Sequence, residues 1–287
     1  MFDTFNITVM VILTITILFP FWNQFCMSIS TVKTTYIDKF ILWPLDPSLR
    51  AYAISFKNVS VYTAYFVTTF RTVAGTLLTL VVSLGAAFAW SKKNLRFRTF
   101  MNWYLIIPMF FGGGLIPMFL LIRFLGLYNN ILVYVIPGIF STMNAVYIRN
   151  YMMTIPGEIE ESAKVDGAND LIILFRLIAP LCKPILATVA LWTMVGHWNS
   201  WFDSMIFTTR SNLQTIGYYL QKILIANRPL TGFGSELSNL QMSQKRLITP
   251  QSLQSAVLLI SILPILFSYP FLQRYFVKGI IVGSIKG

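Results

Sequence analysis

Charge is what this sequence has least of. Only 11% of its 287 residues are charged, whereas soluble domains run near a quarter. The shortage is sharpest in acid, with 10 Asp and Glu against 22 Lys and Arg. A chain this poor in charge and 56% hydrophobic belongs in a bilayer. It has one histidine, His197, and two cysteines, Cys26 and Cys182. No metal-ligand cluster can be assembled from so few ligands, and the two thiols lie toward opposite faces of the predicted topology, which argues against a disulfide. No glycine-rich loop ending in Gly-Lys-Ser/Thr occurs, so ATP binding by this chain is not expected. No Lys or Arg precedes Lys33, and no small-residue cleavage site follows the first apolar run. That run therefore reads as a retained span, not a signal peptide. The net charge of +12 is scattered through loops between apolar runs. That pattern anchors to lipid head groups and sets topology; it is not a nucleic-acid patch.

What the sequence does have is length of apolar run. Roughly 20 mostly apolar residues cross a bilayer as a helix. Six segments meet that rule, near 7–28, 65–90, 100–125, 131–148, 184–207 and 253–272. The runs are continuous and do not alternate, so they predict helices and not barrel strands. An even number of crossings puts both termini on one side. The short link 91–99 carries Lys92, Lys93, Arg96 and Arg98, and the tail carries Arg274, Lys278 and Lys286; both read as cytoplasmic by the positive-inside rule. The opposing loops are also basic, but they are longer, where that rule weakens.

Two places depart from plain spans. The third contains Pro108, Gly112, Gly113, Gly114 and Pro117, which suits either a close helix contact through small residues or a flexible gate. The segment 208–249 is too long for a plain loop. Within it Ile216, Leu220, Ile223 and Leu224 share one side of a predicted helix over 213–226.

The polar stretch 156–184 interrupts the apolar chain and holds half of its carboxylates. Pro156-Gly157 ends the preceding structure. Glu158, Glu160 and Glu161 then fill a first helical turn, where carboxylates favour the positive end of the helix dipole. Gly167 interrupts that helix and Asn169 can cap a second one. Leu171, Ile172, Leu174, Phe175 and Ile178 give the second helix an apolar face, and Pro180 is placed to stop it. An ordinary solvated loop needs neither the cap nor the apolar face. The stretch reads as a helix–turn–helix bracket that protrudes into water and docks onto something.

These residues resemble the signature of binding-protein-dependent ABC importer permeases: Glu-Ala-Ala, three residues, Gly, then a hydrophobic stretch ending in Leu-Pro. Glu161, Ala163, Asp166, Gly167, Ala168, Leu177 and Pro180 stand at the matching places, with Ser162 for the middle alanine and Ala179 for the leucine. GGGLIPMFLLIRFLGLYNN, GHWNSWFD and the ending PFLQRYFVKGIIVGSIKG look like maltose-type sugar permeases. More narrowly, they look like the lineage that imports complex oligosaccharides with a lipoprotein-type binding protein. The N-terminus departs: the basic cytoplasmic segment usual in that family is missing or trimmed.

The resemblance implies an all-α membrane protein of the type I ABC importer permease fold, with six transmembrane helices in one domain over 1–287. It implies the bacterial cytoplasmic membrane, a second homologous permease, two ATP-binding subunits and an extracytoplasmic sugar-binding protein. ATP and Mg would sit on the ATPase subunits, with no cofactor, metal or catalytic residue on this chain. The bracket would be the cytoplasmic coupling helix, lodged in a groove of the ATPase through Glu160, Glu161, Ala163, Asp166, Gly167, Ala168 and Pro180.

Polar residues inside spans are costly and therefore candidates for function. Asn144 and Tyr147 fall in the fourth segment; His197, Trp198, Asn199, Trp201 and Asp203 cluster in the fifth. Aromatic faces stack on sugar C–H faces, and amides or carboxylates read hydroxyls. The same residues also suit interhelical hydrogen bonds or interfacial anchoring, and the partner permease can hold most of the substrate contacts. Arg71 either snorkels to lipid or faces the pathway. An anionic, uronate-type oligosaccharide fits the lineage and the basic outer loops, with neutral glycans next. Two other classes stay open: the amino-acid or metal importers of the same superfamily, and an intramembrane enzyme built on an Asp203–His197 pair.

Overall fold

A computed structural model of the chain describes residues 2–30, 42–44, 47–92, 94–226, 249 and 251–267. Among them the structure is helical, with one isolated antiparallel bridge between Ser30 and Pro47 and no strand. Two helices are long and apolar enough to cross a membrane, α1 (Phe2–Ser28) and α3 (Val59–Ser91). Between them lies the short α2 (Arg50–Lys57). Within α1 the hydroxyls of Thr8, Thr14 and Thr16 donate to the carbonyl four residues back at 2.7–2.8 Å, which satisfies them without water.

Two further crossings arise only if bent helix pairs are each counted as one. The first pair is α4 (Arg98–Phe110) and α5 (Leu115–Phe124), bent by 114°. The corner lies at residues 111–114, where Gly114 takes φ +84°. A Cβ on Gly112 would meet nothing within 4 Å, and one on Gly113 only Pro117 at 3.8 Å. Within this chain the glycines therefore make a corner and not a close helix contact.

The second pair comes after α6 (Thr142–Met152) and α7 (Glu158–Val165). It consists of α8 (Asp170–Leu181) and α9 (Lys183–Asn199), bent by 82°.

Continuous helices expected over 131–148 and 184–207 are not observed. In the first, Asn130 accepts from Leu132 N at 3.0 Å and starts a 3₁₀ turn, Ile131–Tyr134. Pro137-Gly138 comes next, and Ser141 caps α6 through Asn144 N at 3.4 Å. Local capping and a Pro-Gly pair thus win over the apolar run. In the second, α9 ends at Asn199, and α10 (Phe202–Phe207) begins after a non-helical Ser200-Trp201 step. The last expected span is described as Gln251–Phe267, here α12. Its continuation to 272 and the basic tail lie outside the described residues, as do residues 227–248 of the long loop. The helix expected near 213–226 is α11 (Ile216–Ala226), with Ile216 and Ile223 buried.

The chain divides into two compact units, Met1–Tyr65 with Ile216–Pro264, and Phe66–Thr215 with Ile265–Gly287. The first unit is pinned by polar contacts between distant segments. Ser255 Oγ donates to Gln24 Oε1 at 2.7 Å, Ser252 Oγ to the Ser30 carbonyl at 2.8 Å, and Asn58 Nδ2 to Tyr219 OH at 2.9 Å. The second unit has two buried apolar clusters. One gathers Leu84 and Phe88 of α3, Ile148 of α6 and Ile173 and Ile178 of α8. The other gathers Val67, Ile122, Val133 and Phe207.

Candidate functional site

The bracket owes its shape to local hydrogen bonds. Its first helix, α7, ends in a Schellman arrangement. Ala168 N donates to the Ala163 carbonyl at 2.9 Å and Gly167 N to the Lys164 carbonyl at 3.0 Å. Gly167 sits at φ +81°, the left-handed conformation that a side chain disfavours. Ala163 is buried and Ala168 packs against the same cluster, the apolar contact that accompanies this motif. Asn169 then starts α8 by accepting from Ile172 N at 2.9 Å.

The apolar face expected on α8 divides in two. Ile173, Leu174 and Ile178 are buried in the cluster, while Leu171, Ile172 and Phe175 are exposed. Pro180 does not stop α8, which continues to Leu181. The ladder widens to a π-helical turn over Ile173–Ile178, which accommodates a ring that lacks an N–H. Glu161, Asp166, Gly167 and Pro180 are exposed.

Glu160 turns the other way. It pairs with Lys164 at 2.8 Å and with Lys92, which leaves the end of α3 and lies 3.6 Å over the Phe88 ring. Partial burial pushes the Glu160 carboxyl up, but hydrogen bonds and charge from Lys164 and Lys92 outweigh it and hold it below its usual 4.5. The basic link after α3 is thereby fastened to the bracket.

The polar residues of α9 and α10 form no single cluster. Asn144 and Tyr147 of α6 meet Trp192: Asn144 Oδ1 accepts from Trp192 Nε1 at 2.8 Å, and the Tyr147 ring lies 5.1 Å from the indole. Trp198 is buried and Asn199 exposed, while the Trp201 ring packs edge-on to Phe202. His197 rests on α3, where a Cβ added to Gly75 would lie 2.5 Å from its Nε2.

Asp203 is held by Arg71. Arg71 Nη1 donates to Oδ1 at 3.1 Å and Nη2 to Oδ2 at 2.5 Å, and Nη1 also reaches the Ser200 carbonyl at 3.2 Å. Ser200 Oγ and Ser204 N complete the carboxylate at 3.0 and 2.9 Å. The guanidinium lies 4.8 Å over the Tyr134 ring. Arg71 therefore does not snorkel to lipid. Asp203, with its oxygens taken by Arg71, Ser200 and Ser204, is not poised as a base with His197.

No family model matches this sequence. The chain is 33% identical over 268 residues to the polygalacturonan/rhamnogalacturonan transport system permease protein YtcP of Bacillus subtilis (strain 168), covering 93% of this chain and 92% of that one. The chain belongs to the sugar ABC transporter permeases. It is also 32% identical over 273 residues to protein LplC of the same organism, 95% of this chain and 90% of that one. Its fold is similar to the crystal structure of a bacterial ABC transporter involved in the import of the acidic polysaccharide alginate. There the TM-score is 0.86 and the identity 30%, with 96% of each chain covered. This permease is a non-catalytic membrane subunit.

Two partnerships of the permease, Lys92 with Glu160 and Arg71 with Asp203, are not legible residue by residue. Each joins residues far apart in sequence, and only a charge in an apolar segment hinted at the second. The regular spacing of Thr68, Thr72 and Thr76 along α3 is a signal that the sequence does carry. The Glu160 contacts have a testable consequence. Its carboxyl is depressed, so its contribution is complete above pH 4.5 and fades as pH falls through the lower folded value. Glu160→Gln should reproduce at pH 7 what acid does to the parent. The expected result is faster hydrogen exchange in α7, because the contacts to Lys92 and Lys164 are both weakened. Exchange unchanged by the substitution would show that the lysines do not fasten the bracket.

Proposed function

We propose that this permease is one of two membrane subunits of an ATP-driven importer of oligosaccharides, uronate-type anionic chains foremost. The bracket at 156–184 is its docking element for an ATPase subunit. The observation that carries this is the outer side of the bracket. Val165, Leu171 and Phe175 are exposed there beside Glu161 and Asp166, while Ile173 and Ile178 root the same element in the core. A protruding element that is rigid, acidic and apolar at its tip is unfinished without a protein partner. Glu161 and Asp166 meet the partner. Gly167, Ala163, Ala168 and Pro180 shape the bracket, and Glu160 ties it to α3.

The remaining parts are those of the family. A second homologous permease completes the pathway, two ATP-binding subunits hold ATP and Mg, and an extracytoplasmic sugar-binding protein delivers the substrate. The chain crosses the bacterial cytoplasmic membrane six times, with the link 91–99 and the tail inside. Asn144, Tyr147, His197, Trp198, Asn199, Trp201 and Asp203 belong to the substrate path. The anionic assignment is supported by the names of two similar systems, for polygalacturonan/rhamnogalacturonan and for alginate. A neutral oligosaccharide is the second reading, favoured by one fact: the buried Arg71 is already neutralised by Asp203.

Uptake by proteoliposomes holding both permeases and the ATPase subunits, with binding protein added, separates the two. Labelled oligogalacturonate should enter only with ATP, and a hundredfold excess of raffinose should not compete. ATP-dependent entry of labelled raffinose with no entry of oligogalacturonate overturns the anionic assignment. ATP hydrolysis by this chain alone contradicts the subunit reading.

A further inference from the structure

One side of α3 stays polar through an otherwise apolar helix. Thr68, Thr72 and Thr76 form one row at intervals of four residues; Arg71, Gly75, Thr79 and Ser83 form the next. At 3.6 residues per turn the two rows share a face. The polar side chains on it are buried, while Val73, Leu77 and Val81 on the other side are exposed. Four buried atoms on this face have no hydrogen-bond partner among the described residues: Arg71 Nε, Thr72 Oγ1, Thr76 Oγ1 and Ser83 Oγ. Buried polar groups seldom go unpaired, and inside a membrane no solvent relieves them. The threonines of α1 answer this by bonding their own helix; Thr72 and Thr76 do not. Their hydroxyls are left for something else.

The middle of this face is covered by α9, α10 and residues 134–138. His197 of α9 sits on Gly75 with no room for a Cβ, and the Gly138 carbonyl accepts from Thr79 Oγ1 at 3.2 Å. Asp203 and the Ser200 carbonyl hold the terminal nitrogens of Arg71. These contacts are polar or depend on a missing side chain; the apolar packing of α3 lies along the helix on either side of them, at Val67 and at Leu84 and Phe88.

We infer that this face of α3 is a sugar-contacting wall of the permeation path, closed in this structure and uncovered when α9 and residues 135–141 withdraw. The inference rests on the import reading above and deepens it. The donors set the ligand class. Hydroxyls at 72 and 76 both donate and accept, and Arg71 Nε–H only donates, a set matched to sugar hydroxyls and ring oxygens. Asp203 is a positioning residue: it engages both ends of the guanidinium, fixes the remaining N–H and cancels the charge. The wall therefore reads hydroxyl pattern and does not attract anions.

The test uses the assembled transporter with Cys26 and Cys182 replaced by serine and single cysteines introduced as Thr72→Cys, Thr76→Cys or Leu77→Cys. A water-soluble methanethiosulfonate reagent is applied without nucleotide and after trapping with ATP and vanadate. Labelling at 72 and 76 should differ at least tenfold between the two states, with Leu77→Cys unreactive in both. Separately, Thr76→Val should raise KM for oligogalacturonate about five- to tenfold at unchanged kcat, and Thr76→Ser should restore it. A merely structural role would lower the amount of folded transporter and leave KM alone. If neither cysteine reacts in either state, or Thr76→Val keeps the parent KM, in a transporter that still imports, the wall is overturned. An assembly that imports nothing overturns the import reading and the wall with it.

Discussion

Gly167→Pro is expected to abolish sugar uptake while the chain still inserts and binds its partner permease. Gly167 stands at φ +81°, whereas the proline ring holds φ near −65°. The substitution also removes the N–H that donates to the Lys164 carbonyl at 3.0 Å and displaces Ala168 from its bond to Ala163. The turn between α7 and α8 then has no native form to adopt. Gly167→Ala keeps the donor and meets only the left-handed penalty, about 1–2 kcal/mol, so its loss should be about thirtyfold or less. Glu161→Lys separates docking from folding. The residue is exposed, and reversing its charge in the first turn opposes the helix dipole by a few tenths of a kcal/mol while changing the outer face of the bracket. Capture of the ATPase subunit and uptake in proteoliposomes are the measurements. Parent-like capture and uptake by both Gly167→Pro and Glu161→Lys would remove the bracket from the coupling path.

The second large effect lies at the buried ion pair. Arg71 is 3% exposed and Asp203 24%. Asp203→Leu strands the guanidinium, and breaking a buried pair by removing one partner costs about 3–5 kcal/mol; the partial exposure of Asp203 argues for the lower end. The expected result is a marked fall in folded yield from detergent and a lower Tm. The double variant Arg71→Met/Asp203→Leu should recover most of the loss, because apolar replacement of both partners removes the desolvation penalty along with the attraction. Arg71→Met alone should be milder than Asp203→Leu, since Ser200 and Ser204 still donate to the carboxylate. A double variant as unstable as Asp203→Leu would mean that the pair is not what holds α10 to α3.

These two sites differ in how far they could be read without coordinates. The bracket was legible because its determinants act within a few residues: the carboxylates of the first turn, a glycine where the chain must turn left-handed, and an asparagine that caps the second helix. Its inner and outer faces were not. Leu171, Ile173 and Phe175 are all apolar, and only packing on Leu84, Phe88 and Ile148 decides that Ile173 is inside and the other two outside. Composition likewise announced a membrane chain but not its breaks. The runs over 131–148 and 184–207 are apolar enough for single helices; short-range caps and a Pro-Gly pair divide the first, and a non-helical Ser200-Trp201 step divides the second.

The sequence by itself determined the solvent, the helical class and the bracket. Scarcity of charge, continuous apolar runs and caps are local properties that free energy reads over one or a few turns. Tertiary structure alone decided which charges meet. Arg71 with Asp203 and Lys92 with Glu160 are joined across 132 and 68 residues of chain, and no periodicity encodes such a pairing. It decided too that Gly75 makes room for His197, and that the hydroxyls of Thr72, Thr76 and Ser83 face inward without a partner among the described residues while Val73 and Leu77 face out. A helix presents every side of itself in the sequence, and burial against neighbours brought together by the fold selects the side that matters.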